Sequence, residues 1–174
     1  MPSTLNKHAI VRAERRPIPG TSMPTARDAY SYRTDPAIAA FPDDKPIIIF
    51  DGHCVLCSRW AMFVVRHDPA ARYRLLPAQS PLGHALYTHY GLDPVDYETN
   101  ILIQDGRAWQ KSEGSIRMFE GLGFPWSVLA AFRVLPRRVR DRGYEAIARN
   151  RFRLFGRRDV CFAPDASIQD RFLA

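Results

Sequence analysis

Four apolar residues, Ile47, Ile48, Ile49 and Phe50, follow Pro46 with no polar position among them. An unbroken β-branched and aromatic run of this length is the pattern of a central strand buried on both faces. Asp51-Gly52 breaks it. The period then becomes helical: Leu56, Trp60, Phe63 and Val64 fall at i, i+4, i+7 and i+8. That stripe predicts a helix from about Cys54 to His67, which Asp68-Pro69 stops. "RYRLL" (72–76) reads as a short second strand. Ser80-Pro81 then offers an N-cap and a proline for the first helical position, so a second helix starts there and Gly91 ends it. "NILIQ" and "RAWQ" flank Asp105-Gly106, the strongest short-range hairpin signal. Ser112 is placed to cap a third helix carrying Ile116, Phe119 and Leu122, closed by Gly123. Pro125–Leu135 and Arg137–Arg149 predict two more helices, separated by Pro136.

The order is β-α-β-α-β-β-α with extra C-terminal helices. A strand–helix–strand start implies a parallel pair with a right-handed crossover, and the hairpin adds antiparallel strands. The expected fold class is therefore α/β, a thioredoxin-like mixed sheet covered by helices. Residues 1–44 show neither period. Pro2, Pro17, Pro19, Pro24, Pro36 and Pro42 punctuate a polar, basic stretch that reads as a flexible extension or a loosely packed arm. The expected division is an N-terminal arm over 1–44 and one domain over 45–174.

Composition changes this picture little. Apolar residues make up 46% of the 174, enough for a real core. The longest apolar stretches fall far short of the ~20 residues needed to cross a bilayer. The N-terminus shows no apolar core region followed by a cleavage site, so the expectation is a cytoplasmic protein. Charge matters more locally. The net charge is +7, and Arg133 to Arg158 holds ten arginines against only Asp141 and Glu145. Such a block meets nucleic acid, anionic lipid or an acidic partner, or simply forms a solvated helix face.

Three cysteines, Cys54, Cys57 and Cys161, are too few for a disulfide-stapled scaffold. In a reducing compartment a Cys-x-x-Cys is catalytic or metal-binding more often than a structural crosslink. Position favours catalysis. Cys54 falls where a buried strand meets the first turn of a helix, where unpartnered N–H groups and the positive macrodipole stabilise a thiolate. Lowering a cysteine pKa from 8.5 to about 7 raises the thiolate fraction at neutral pH from roughly 3% to about half. Cys57, one turn on, is close enough to close a disulfide, and its N–H and S–H can share in stabilising the Cys54 thiolate. Cys54 is accordingly the expected nucleophile, exposed at the helix pole, and Cys57 the resolving thiol. His53, when protonated, would favour the thiolate, or is an ordinary turn histidine. Asp51 either accepts the Cys57 proton or accepts N–H bonds of the turn.

Asp51-x-x-Cys54-x-x-Cys57 resembles the D-x-x-C-x-x-C signature of the DCC family of predicted thiol–disulfide oxidoreductases. "NRFRLFGRRDVC" (150–161) resembles that family's second signature, and "SEGSIRMFEGLGFPW" its middle helix and turn. The resemblance covers roughly 45–173. It implies a thioredoxin-like fold and protein-disulfide reductase activity on Cys54 and Cys57. The expected partners are protein or low-molecular-weight thiols and disulfides, with no bound cofactor. Ordinary thioredoxins carry a cis-proline before the third strand. Here that place is held by Thr99, which could offer backbone bonds to an extended substrate instead. Cys161 is either a third redox partner or a buried small hydrophobe. Arg151, Arg153, Arg157 and Arg158 would hold an anionic group or tune the thiols; exposed ion pairs are the plainer expectation.

Two rival readings stand beside this one. Cys54, Cys57, Cys161 and one of His53, His67, His84 or His89 would make a Cys₃His zinc tetrahedron, although no second ligand pair supplies the other half. The Arg block, with Phe152 and Phe155, could bind single-stranded nucleic acid. Its neighbour "PWSVLAAFRVLPRRVR" could instead lie on an anionic membrane. The plainer expectation packs Trp126, Leu129, Phe132 and Leu135 against the sheet, with no nucleic acid bound.

Overall fold

The apolar run forms β1 (Ile47–Phe50), buried at all four positions, and it sits inside a four-stranded sheet. The computed structural model describes residues 27–159 and 162–173; residues 1–26 of the expected arm, and Cys161, lie outside them. β1 pairs in parallel with β2 (Arg74–Pro77) and antiparallel with β3 (Ile101–Gln104). β3 continues into β4 (Arg107–Gln110) through Asp105 and Gly106, both at positive φ. That is the backbone an Asp-Gly hairpin turn demands. The sheet order is β2-β1-β3-β4, the mixed α/β arrangement expected of a thioredoxin-like fold.

The side-chain period of two sorts the strand residues between two faces. Ile48 and Leu102 join Val64 of α1 (Val55–His67) and Met118 of α3 (Lys111–Gly121). Ile47, Ile49, Ile101 and Ile103 join Leu86 and Tyr87 of α2 (Pro81–His89). Within the expected 1–44 arm, residues 27–44 supply part of that second layer. Tyr32 is buried among the isoleucines, with Ile38 and Phe41 against it, and Tyr30 N donates to Gly106 O at 2.9 Å.

Two helix boundaries differ from the expected ones. Ser80 does cap α2, accepting from Gly83 N at 3.1 Å, but Ser112 caps nothing. α3 begins two residues earlier, with Gln110 in the cap position, and the Ser112 hydroxyl donates to Asp141 Oδ1 at 2.5 Å. A carboxylate from the next helix outcompetes the local cap. α4 (Arg137–Phe155) runs six residues past the expected Arg149, ending at Gly156 with φ 87°.

The expected helix over Pro125–Leu135 is a 3-10 helix, Trp126–Val134, and none of its residues is buried. Trp126 packs on Phe63 and His67 of α1 at ring-centroid distances of 4.8 and 5.0 Å. Phe132 and Leu135, expected against the sheet, are exposed, because α1 and α3 already cover that face.

Candidate active site

β1 delivers the chain into a three-residue turn, Asp51-Gly52-His53, and Cys54 follows as the N-cap of α1 with extended φ, ψ of −81° and 121°. Its sulfur takes the place a serine or aspartate oxygen holds in an ordinary cap. Cys57 N donates to Cys54 Sγ at 3.2 Å, and Cys57 Sγ donates to the same sulfur at 2.7 Å. Both donors favour a negative Cys54. The hydrogen bond from Cys57 is the largest influence, and with the backbone N–H it outweighs burial, holding the Cys54 pKa at about 7. Arg151 lowers it further and Asp51 opposes. Cys57 moves the other way, far above the ordinary thiol range, because its proton is held on the Cys54 sulfur and because it is buried. The two thiols are thereby unequal: the arrangement favours negative charge on Cys54 and keeps the proton on Cys57.

The sign of the pH dependence follows. Below about 7 Cys54 carries its proton and alkylation slows roughly tenfold per pH unit. Above that value the rate levels off. Iodoacetamide labelling of the reduced protein followed by mass is expected to show one titration near 7; a midpoint above 8.5 would contradict this geometry.

The sulfur is not exposed, contrary to the sequence expectation. Cys54 is 0% accessible and Cys57 8%. Phe50, Ala61 and Leu75 lie around the pair from the body of the fold, with Phe152, Phe162 and Phe172 against it from the C-terminal region. The chain beyond α4 crosses the dithiol as a short strap. Val55 N donates to Gly156 O at 3.5 Å, Arg158 N to His53 O at 2.7 Å, and Phe162 N to Gly52 O at 3.1 Å. Cys54 and Arg157 form an antiparallel bridge. The local period of residues 50–57 carries no information about a segment a hundred residues away. Phe162 anchors this cover on Phe50, ring centroids 5.9 Å apart. Phe162→Ala is expected to raise the labelling rate of Cys54 about tenfold for each ~1.4 kcal/mol removed from strap opening, with its pH midpoint unchanged.

Asp51 lies beneath the dithiol, also buried. Its Oδ1 accepts from His53 N at 2.9 Å and Gln79 Nε2 at 2.7 Å, and its Oδ2 is 3.6 Å from Arg151 Nη2. Arg151, expected in a surface ion pair, is 4% accessible. Its guanidinium also donates to Asp96 O at 2.5 Å and Ala148 O at 3.0 Å, while Nε has no partner among the described residues. The signal that could have placed it is the period of α4. Tyr144, Ala148, Arg151 and Phe152 fall at i, i+4, i+7 and i+8, the more buried face of a helix that packs on α1 and α3.

Thr99 is buried and engaged by the chain itself. Its carbonyl accepts from Tyr87 OH, and its hydroxyl donates to Tyr144 OH at 3.1 Å. Asn100 N donates to the same Tyr144 oxygen at 3.1 Å. The backbone expected to meet an extended substrate is therefore occupied by two tyrosines that sequence reasoning missed. His53 is partly exposed at the turn and binds the strap through its carbonyl. Cys161, the proposed third thiol, lies outside the described residues. Among the described residues no three His, Cys, Asp or Glu side chains gather as a metal site. His67, His84 and His89 are dispersed, bonded to Phe63 O, Tyr97 OH and Asp35 respectively.

The family model of the DCC1-like thiol-disulfide oxidoreductases matches residues 48–157, from within β1 to the strap. An uncharacterized protein of Bacillus subtilis, YuxK, is 35% identical over 127 residues, 73% of this chain and 93% of its own. A chloroplastic DCC family protein of Arabidopsis thaliana is 34% identical over 136 residues, 78% of this chain and 79% of its own. No solved structure matches the chain.

Proposed function

This chain belongs to the DCC1-like thiol-disulfide oxidoreductase family, and from that premise we propose that it reduces disulfides of proteins or small thiols with the Cys54–Cys57 dithiol. The observation that carries the reading is the pair of Cys57 donors on the Cys54 sulfur, with a pKa of about 7. The Cys54 thiolate attacks one sulfur of a substrate disulfide. One substrate thiolate leaves, and a mixed disulfide joins Cys54 to the other half. Loss of the negative charge on Cys54 removes the largest cause of the high Cys57 pKa, leaving burial, so Cys57 gives up its proton more readily. Asp51, beneath the pair, is the group we assign to receive it. The Cys57 thiolate then attacks Cys54 Sγ and expels the second substrate thiolate. Two electrons have passed to the substrate and a Cys54–Cys57 disulfide remains, which an external thiol reductant must reopen.

The strap must withdraw for the first attack, since Cys54 is otherwise out of reach. No helix of the described residues is long and apolar enough to cross a membrane, and we place the work in a reducing compartment such as the cytoplasm. Equilibration in glutathione buffers of graded potential tests the reading. A Cys54–Cys57 disulfide that forms and reopens reversibly, with catalysed release of thiol from a disulfide substrate, supports it. A pair that never crosslinks at any poise would end it.

A further inference from the structure

Nine of the eleven large apolar side chains exposed among the described residues lie between Phe124 and Phe155. Phe124 and Val134 are 86% and 88% accessible, and Val128, Phe132 and Val139 are more than half accessible. Burial of such side chains is the main favourable term in folding, so their concentration on one stretch calls for an occupant. The 3-10 segment is fastened to the body by other residues. Trp126 stacks on α1, and Arg133 pairs with Glu113 and Glu120 of α3. The exposed apolar groups are those left over from this attachment.

Charge identifies the occupant. The same stretch runs straight into α4, where Arg137, Arg138, Arg142 and Arg153 are exposed. Arg138 and Arg142 make no ion pair among the described residues. A second copy of the chain packed face to face here would set the exposed, unpaired Arg138 and Arg142 against their own counterparts, so such self-association is repelled. A nucleic acid would neutralise the arginines and stack on Phe124 and Phe132, but would leave the aliphatic Val128, Val134 and Val139 in water. An anionic bilayer surface takes both components at once. Apolar side chains enter the boundary between headgroups and acyl chains, and arginines lay their stems along it with the guanidinium at the phosphates.

We propose that residues 124–142, the exposed 3-10 segment together with the first turns of α4, form a peripheral docking surface for anionic lipid bilayers. This surface works without crossing the membrane and independently of the dithiol.

The test is co-sedimentation of the full chain with phosphatidylcholine vesicles, with and without phosphatidylglycerol. Binding is expected only with phosphatidylglycerol, and is expected to weaken from about 0.1 M to about 1 M salt as the Debye length falls from about 10 to about 3 Å. The combined variant F124S/F132S/V134S is expected to lose partitioning roughly tenfold or more, and R138Q/R142Q to lose it and its salt dependence. These positions are exposed, so both variants keep the parent circular dichroism and Cys54 labelling rate. The proposal is overturned by no binding to phosphatidylglycerol vesicles at low salt. It is equally overturned by vesicle binding that the serine variant leaves intact. Tighter binding to single-stranded DNA than to vesicles would assign the surface to nucleic acid instead. Concentration-dependent dimerisation abolished by the serine variant would assign it to a second copy.

Discussion

A Cys54→Ser protein is expected to lose disulfide exchange by on the order of 10³-fold or more, while Cys57→Ser arrests after the first step. The difference comes from which sulfur receives the hydrogen bonds. Cys54 Sγ accepts both the N–H and the S–H of Cys57, which favours charge on it and makes it the proposed attacking sulfur. Without Cys57 the mixed disulfide on Cys54 forms and has no intramolecular thiol to resolve it. Mass spectrometry of Cys57→Ser mixed with a small disulfide should therefore show a stoichiometric adduct on Cys54. Cys57→Ser also removes the strongest influence lowering the Cys54 pKa, so its labelling midpoint is expected to move upward from about 7. Equal residual activity in the two variants, or an adduct on Cys57 in Cys54→Ser at a similar rate, would reverse the assignment.

The second large effect is on stability. Arg151→Met leaves Asp51 buried without its countercharge, and breaking a buried pair costs about 3–5 kcal/mol. Arg151 also bonds the carbonyls of Asp96 and Ala148, so the loss extends to the loop before β3. Urea unfolding is expected to show that loss in its midpoint. Asp51→Asn in the same background is expected to restore a large part of it, because the uncompensated charge is gone. Arg151 also lowers the pKa of Cys54, so the Arg151→Met labelling midpoint should rise while Asp51→Asn lowers it. A single-variant loss below about 1 kcal/mol would mean that water already screens the pair.

The strap changes what the dithiol's sequence neighbourhood means. Burial of Cys54 and a pKa held near 7 look contradictory, since desolvation raises a thiol pKa. The two Cys57 donors reconcile them, because a thiolate that receives two hydrogen bonds inside the protein needs fewer from water. The cover keeps the Cys54 sulfur away from solvent.

Much of this fold was legible along the chain. Ile47–Phe50, the Cys54–His67 stripe, Ser80-Pro81 and Asp105-Gly106 each carry a local physical instruction, and each element formed within a residue or two of its expected place. The pairing of Cys54 with Cys57 was legible for the same reason: one helical turn fixes the geometry of residues three apart. The Ser112 cap was misread because a competing carboxylate, Asp141, comes from another helix.

The sequence by itself determined the strand, the turn and the helix start that set a thiolate against a neighbouring thiol, together with the family signature around them. Only the tertiary structure decided that Arg151 pairs with Asp51 beneath them, that Tyr87 and Tyr144 occupy Thr99 and Asn100, and that Gly156, Arg157, Arg158 and Phe162 close over the turn at Cys54. The first group follows from backbone hydrogen bonds and side-chain period over a few residues. The second joins residues from 12 to more than 100 positions apart, beyond the reach of one helical turn or hairpin, or settles which of several apolar stretches wins a place on the core; the 3-10 segment lost that competition and stayed at the surface.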